Sequence, residues 1–155
     1  MPIQHWPLSR LVPYSRNPRQ NDHAIERMAA SIQEFGFKIP ILACGRGEVV
    51  DGHLRLKAAQ HLGLTEVPVI LCDEWTEAQV KAFRLLVNRS ATWADWDLDV
   101  VALEIGELES LDFDLALTGF DSVEIDEFLF GDAGDKAEDE IPEPTAATIT
   151  RIETA

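Results

Sequence analysis

The chain has 155 residues, 46% of them apolar, and a formal charge of -15 from 13 Lys and Arg against 28 Asp and Glu. That is the size of one ordinary domain, with or without a tail, and enough apolar residues to bury a core. A charge of this sign excludes a protein that coats nucleic acid non-specifically, which needs a cationic surface to release counterions, and argues against an anionic-membrane binder.

The charge is unevenly placed. Residues 1 to 72 hold eight Lys and Arg against six Asp and Glu, a balance of +2, and all four histidines; the remainder holds five against 22, a balance of -17. This asymmetry points to a ligand-handling half followed by an acidic appendage.

In chain order, residues 3 to 12 suit a short edge strand interrupted by Pro7. The run from Pro13 to Asn21 is a Pro- and Asn-rich turn-forming loop. A helix is expected from Asp22 to Phe35, capped by Asn21 or Asp22, with Ile25, Met28, Ala29 and Ile32 on its apolar face and Gly36 ending it. Lys38 to Cys44 and Val49 to Gly52 read as strands, with a helix from His53 to Leu62 stopped by Gly63. Val67 to Cys72 reads as a strand buried on both faces.

Thr76 and Gln79 form a capping box, which opens a helix to about Val87. Asn88 to Trp96 reads as a loop. Asp97 caps a helix to about Ser110, and Asp121 with Glu124 announces a short helix from Val123 to Phe130. After Gly131 the chain turns acidic and rich in Pro, Thr and Ala, the composition of a disordered tail.

Cys44 and Cys72 each close an apolar run and read as small buried hydrophobes. Two cysteines make neither a disulfide scaffold nor a paired-ligand zinc site. With no signal-peptide-like start and no stretch of membrane-spanning length, a cytoplasmic protein is expected.

The densest chemistry lies between Glu48 and Gly63, where a strand runs through a glycine directly into a helix. A helix N-terminus presents unpaired N–H groups and partial positive charge. Gly52 permits close backbone approach, and His53 and Arg55 add a donor and a permanent charge in the first turn. The Walker A pattern is missing. Two polar segments are candidates to converge here: Arg16 to Gln20, and Asn88 to Ser90. Asp51 and Glu48 are the nearby carboxylates for a Mg²⁺ ion, which uses one or two carboxylates plus substrate phosphates.

The stretch NPR…MAASIQEFGFKIPILAC…GEVVDGHLRLKAAQHLGLTEVPVIL resembles the ParB/sulfiredoxin-like superfamily, in particular the ParB-like N-terminal domain, also called the ParB-like nuclease domain. The resemblance covers about residues 3 to 90. The following VNRSATWADWDLDVVALEIGELESLDFDLALTGFDSVEIDEFL looks like the helical extension of phage and bacterial ParB-like proteins linked to DNA modification methylases. There an acidic, Pro-containing linker leads into a methyltransferase domain. No methylase motif such as DPPY occurs here, so the chain resembles either the front module of such a fusion or a stand-alone relative.

The resemblance implies an α+β fold, a small mixed sheet flanked by helices: a core over residues 1–90, a helical extension over 91–131 and an acidic tail or linker over 132–155. It implies CTP or ATP with Mg²⁺ as ligand. Gly52 and Arg55 match the glycine and second arginine of the family's G-E-R-R turn, Asn88 and Arg89 match part of a third nucleotide motif, and Asn17, Pro18 and Gln20 match an N-P-x-Q loop. The expected phosphate-binding set is therefore Arg19, Gln20, Gly52, His53, Arg55, Asn88 and Arg89.

Three departures stand out. His53 replaces a Glu, Leu54 replaces the first Arg, and Asn21-Asp22 replaces Pro-Arg, which argues against a CTP sliding clamp. His53 also occupies the catalytic Cys position of sulfiredoxin, which argues against peroxiredoxin reduction, since the thiolate is the nucleophile. No centromere-reading helix-turn-helix is evident.

The expected function is a nucleotide- or phosphate-binding module serving DNA transactions, regulating or targeting a DNA methyltransferase, with DNA contact weak or indirect. One alternative is a Mg²⁺-dependent nuclease or nucleoside triphosphatase. Another is a protein-interaction module whose acidic half, with Trp93, Trp96, Phe113, Phe120, Phe128 and Phe130, binds a basic partner or self-associates as a homodimer.

Overall fold

A computed structural model describes residues 1–17 and 22–131. Arg19 and Gln20 of the expected site, the expected caps of the first helix and the acidic tail lie at or beyond these limits. The chain divides into two compact units, residues 1–94 and 95–155.

The first unit is built on a four-stranded mixed sheet. Its strands are β1 (Gln4–Pro7), β2 (Ile41–Ala43), β3 (Val49–Asp51) and β4 (Glu66–Leu71), in the order β1-β4-β2-β3. β1 pairs antiparallel with β4 at one edge, β2 runs parallel to β4, and β3 closes antiparallel on β2. The parallel pair needs a crossover, supplied by β3 and the helix that follows it.

Strand alternation decides which helix covers which face. Ile41, Ala43, Val49, Val67 and Val69 point to one side, where Trp6, Leu11 and the helix residues Leu56 and Ala59 complete the main core. Leu42, Cys44 and Val50 point to the other, against Val80, Trp75 and Phe83. The first side is covered by α2 (His53–Leu62), on which α1 (Ile25–Phe35) packs through Ala29, Ile32 and Ala58. The second is covered by α3 (Glu77–Ser90). The sheet thus sits between helices, the fold class the sequence implied.

Several boundaries differ from the sequence reading. The first helix begins as a 3₁₀ turn over Asp22–Ala24, and α1 starts only at Ile25, with no side-chain cap on its N-terminus. β4 is not uniformly buried: Val67 and Val69 are fully so, whereas Pro68, Ile70 and Leu71 are only half-buried. The Thr76–Gln79 capping box is formed in both directions, and α3 runs to Ser90, so Asn88 and Arg89 lie on a helix rather than a loop. Cys44 and Cys72 are both buried free thiols.

In the second unit α4 (Leu98–Ser110) is capped by Asp97, whose carboxylate accepts from the Asp99 and Val100 N–H groups. A 3₁₀ turn over Leu115–Thr118 follows, unforeseen in the sequence. Asp121 and Glu124 form a reciprocal capping box on α5 (Ser122–Asp126), which widens into a π-helical turn over Glu127–Gly131. Trp96, Phe120 and Phe128 pack ring on ring, with centroids 5.5 and 5.2 Å apart. Trp93 and Phe130 remain exposed. No helix among the described residues is long and apolar enough to cross a membrane.

Candidate functional site

The turn between β3 and α2 rests on Gly52, whose φ of +110° is in the left-handed region that L side chains avoid. Its carbonyl accepts the Leu56 N–H at 2.9 Å, which starts the helix. The 10-residue α2 leaves its first N–H groups without partners inside the helix, and they emerge where β3 ends. A cavity of about 450 Å³ opens there, lined among others by Asn17, Asp51, His53, Arg55, Arg84 and Asn88.

The side chains around this cavity are already organised. Arg55 folds back so that Nη2 donates to the Pro40 carbonyl at 2.9 Å and lies 3.6 Å from Asp51 Oδ2. Burial pushes its pKa down, and Asp51 opposes the shift. His53 is buried, and its Nε2 accepts the Tyr14 backbone N–H at 3.1 Å. An accepting Nε2 means a neutral ring with its proton on Nδ1. Burial, reinforced by the positive charge of Arg84, pushes the His53 pKa below its ordinary value. Asn88 Nδ2 donates to the Arg84 carbonyl one turn back along α3.

Not every expected residue converges. Arg89 is exposed and is not among the residues lining the cavity. Glu48, just before β3, and Asp51, at its end, face different surroundings. Glu48 lines a separate cavity of about 440 Å³ with Arg46, Lys81, Trp75 and both cysteines. Its Oε1 accepts from Arg46 at 3.1 Å and from Arg84 at 3.3 Å. Burial pushes the Glu48 carboxyl up, but the hydrogen bonds and charges of Arg46 and Arg84 together outweigh it and hold the pKa below the ordinary value. A carboxylate so engaged is a poor metal ligand, which leaves Asp51 as the carboxylate facing the first cavity. Among the described residues no group of three or more His, Cys, Asp and Glu is arranged to hold a metal.

Sequence reasoning missed Arg84. It is 5% exposed, Nη2 donates to the Val49 carbonyl at 2.8 Å, and its guanidinium lies 3.6 Å from the centre of the Tyr14 ring. The signal was present: Val80, Phe83, Arg84 and Val87 occupy i, i+3, i+4 and i+7, so an arginine interrupts the apolar stripe of α3. Charges in such stripes are buried only when paired.

Comparison with known proteins agrees with this architecture. The ParB N-terminal domain family matches residues 2–88, and the ParB-methyltransferase HTH domain matches residues 99–152. The chain belongs to the ParB N-terminal domain family. The second match falls on a segment in which the sequence had shown only a helical extension and a tail.

The chain is 36% identical over 78 residues to the ParB-like nuclease domain-containing protein YnaK of Escherichia coli K12, a match covering 50% of this chain and 90% of YnaK. It is 36% identical over 76 residues to the probable chromosome 1-partitioning protein ParB of Deinococcus radiodurans, covering 46% of this chain but 26% of that protein. The chain therefore spans nearly all of YnaK but about a quarter of the partitioning protein. Among solved structures, C-terminally truncated ParB of Caulobacter crescentus, complexed with CTP-gamma-S, superposes with a TM-score of 0.67 at 22% identity, covering 83% of this chain and 77% of that one. The likeness is one of fold.

Proposed function

We propose that this chain binds a nucleoside triphosphate, CTP or ATP with Mg²⁺, by its phosphates at the N-terminus of α2, and serves DNA transactions as a regulatory or targeting module for a DNA methyltransferase. The observation that carries the reading is the left-handed Gly52, which delivers the open end of α2 and the Arg55 guanidinium to one cavity. Backbone N–H groups, the helix dipole and a fixed cation are what a polyphosphate requires. The CTP-gamma-S complex of the Caulobacter protein supports the ligand class.

In this reading His53 offers Nδ1–H, Asn88 its amide, and Asp51 is the carboxylate that would stand beside a phosphate-bound Mg²⁺. Arg89, which is exposed on α3, and Arg19 and Gln20, which lie outside the described residues, complete the proposed set. Titration calorimetry of the full chain with CTP, ATP and GTP plus Mg²⁺ tests this. Saturable binding of one of them, weakened at least tenfold by Arg55→Ala and partly restored by Arg55→Lys, is expected. No binding of any of the three overturns it.

The nuclease or triphosphatase reading rests on the same cavity with Asp51 as metal ligand. Mg²⁺-dependent plasmid nicking or phosphate release, abolished by Asp51→Asn, would establish it; protein inert at micromolar concentration would dismiss it.

A second reading concerns residues 95–155. The segment matching the helix-turn-helix class holds 16 Asp and Glu against Lys136 and Arg151 alone. DNA-reading helices rely on Lys and Arg for phosphate contact, so this composition favours contact with protein, either a basic partner or a second copy. Light scattering and crosslinking of the full chain distinguish the two, and a strict monomer that captures no methyltransferase would remove both.

A further inference from the structure

Tyr14 does not line the phosphate cavity but touches two residues that do. Its backbone N–H donates to His53 Nε2 at 3.1 Å, and its ring covers the Arg84 guanidinium at 3.6 Å. These contacts come from different elements, His53 from the first turn of α2 and Arg84 from the middle of α3. Just before it, Val12 is tied to the approach to β3, donating to the Gly47 carbonyl at 2.8 Å and accepting the Val49 N–H at 2.9 Å. Just after it, the Asn17 N–H donates to the Tyr14 carbonyl at 3.2 Å, and Asn17 lines the cavity.

Arg84 is a rigid platform for this ring. It is 5% exposed, with Nη2 bound to both Glu48 Oε1 and the Val49 carbonyl, yet its buried Nε has no hydrogen-bond partner among the described residues. A guanidinium kept in the interior with one donor unsatisfied is costly. Ion pairing to Glu48 alone does not require an arginine whose flat face is turned to an aromatic ring, whereas stacking does.

We propose that Arg84 and Tyr14 form a latch that positions residues 14–17, and with them Asn17, against the phosphate cavity, Arg84 being a positioning residue that acts through Tyr14. The inference deepens the phosphate-binding reading and rests on it for its consequence, but the latch itself is observable without ligand. Tyr14 is the sole tyrosine of the chain, so replacing it with 3-fluorotyrosine gives one ¹⁹F resonance.

In the labelled full chain without ligand, that resonance is expected well away from its position in urea, and Arg84→Lys, which keeps the charge but loses the planar face, is expected to move it back toward the urea value. Binding of inorganic pyrophosphate to unlabelled protein should be unchanged within twofold in Tyr14→Phe and at least fivefold weaker in Tyr14→Leu. The latch is overturned if the folded resonance coincides with the urea one, if it ignores Arg84→Lys, or if Tyr14→Leu binds pyrophosphate as the parent does. Should the parent not bind pyrophosphate, the phosphate reading falls, and the ¹⁹F comparison still decides the latch.

Discussion

Replacing Gly52 by alanine tests the geometry on which the site depends. At φ +110° an L residue is strained, at a cost of about 1–2 kcal/mol. The added Cβ would also lie 3.1 Å from both Ile41 Cγ1 and Arg55 Nη2, and 3.4 Å from Ile41 Cα. Arg55 can swing aside, but Ile41 is fully buried in β2 and cannot. Overpacking of this kind adds about 1–3 kcal/mol, for a total of about 2–5 kcal/mol. Gly63 is the control: it too is left-handed, at +72°, but a methyl group added there would meet nothing within 4 Å, so Gly63→Ala carries strain alone. Urea unfolding followed by tryptophan fluorescence should show Gly52→Ala losing about 1–3 kcal/mol more than Gly63→Ala, the overpacking share. Equal losses in the two variants would refute the claim that the α2 entry is crowded against β2.

Further expectations follow from packing, capping and titration. Leu56, 1% exposed at the centre of the main core, should cost about 2–5 kcal/mol as Leu56→Ala in the same urea assay. Thr76→Ala removes one half of a formed capping box and should cost about 0.5–2 kcal/mol, read as a lower thermal midpoint. His53 has its pKa lowered from 6.5, so the unfolded chain takes up its proton more readily; stability is complete above that value and falls as pH drops below it. Urea midpoints at pH 7.5 and 5.5 should therefore separate more in the parent than in His53→Gln. Burial, helped by Glu74 and by Cys44 and Asp73, pushes the Cys72 thiol up to about 11. In a Cys44→Ser background, Cys72 should react with a disulfide reagent at pH 7.5 far more slowly than a free thiol, and equal rates would contradict the burial.

The fold was legible wherever a local signal and a tertiary one coincide. α2 could be bounded to the residue because Gly52 and Gly63 both adopt positive φ at its ends. α4 was equally clear because Asp97 caps it through its own carboxylate. Where no local signal exists, the sequence misled. α1 proper begins only after a 3₁₀ turn, and α3 continues through Asn88, whose amide donates to the Arg84 carbonyl instead of starting a loop.

The site was half legible for a similar reason. Gly52, His53 and Arg55 are adjacent in sequence and share one helix turn. The contribution of α3 depends on packing between segments far apart in the chain, so Arg84 went unrecognised, and Glu48 looked available although two guanidiniums hold it. The charge of -15 conceals the same division. Residues 1–94 hold 11 Lys and Arg against nine Asp and Glu, whereas residues 95–131 hold 12 Asp and Glu and no Lys or Arg at all. An average over both describes neither the cavity nor the acidic unit.

The central claim, an anion site at the open end of α2, is tested most directly by amide NMR of the ¹⁵N-labelled full chain titrated with CTP and Mg²⁺. Saturable shifts are expected, largest at the Gly52, His53, Leu54 and Arg55 amides. They should be lost in Arg55→Ala while the dispersion of the β2 and β4 amides is retained. Shifts centred instead on the Arg46 and Lys81 cavity, or no shifts at millimolar nucleotide, would contradict it.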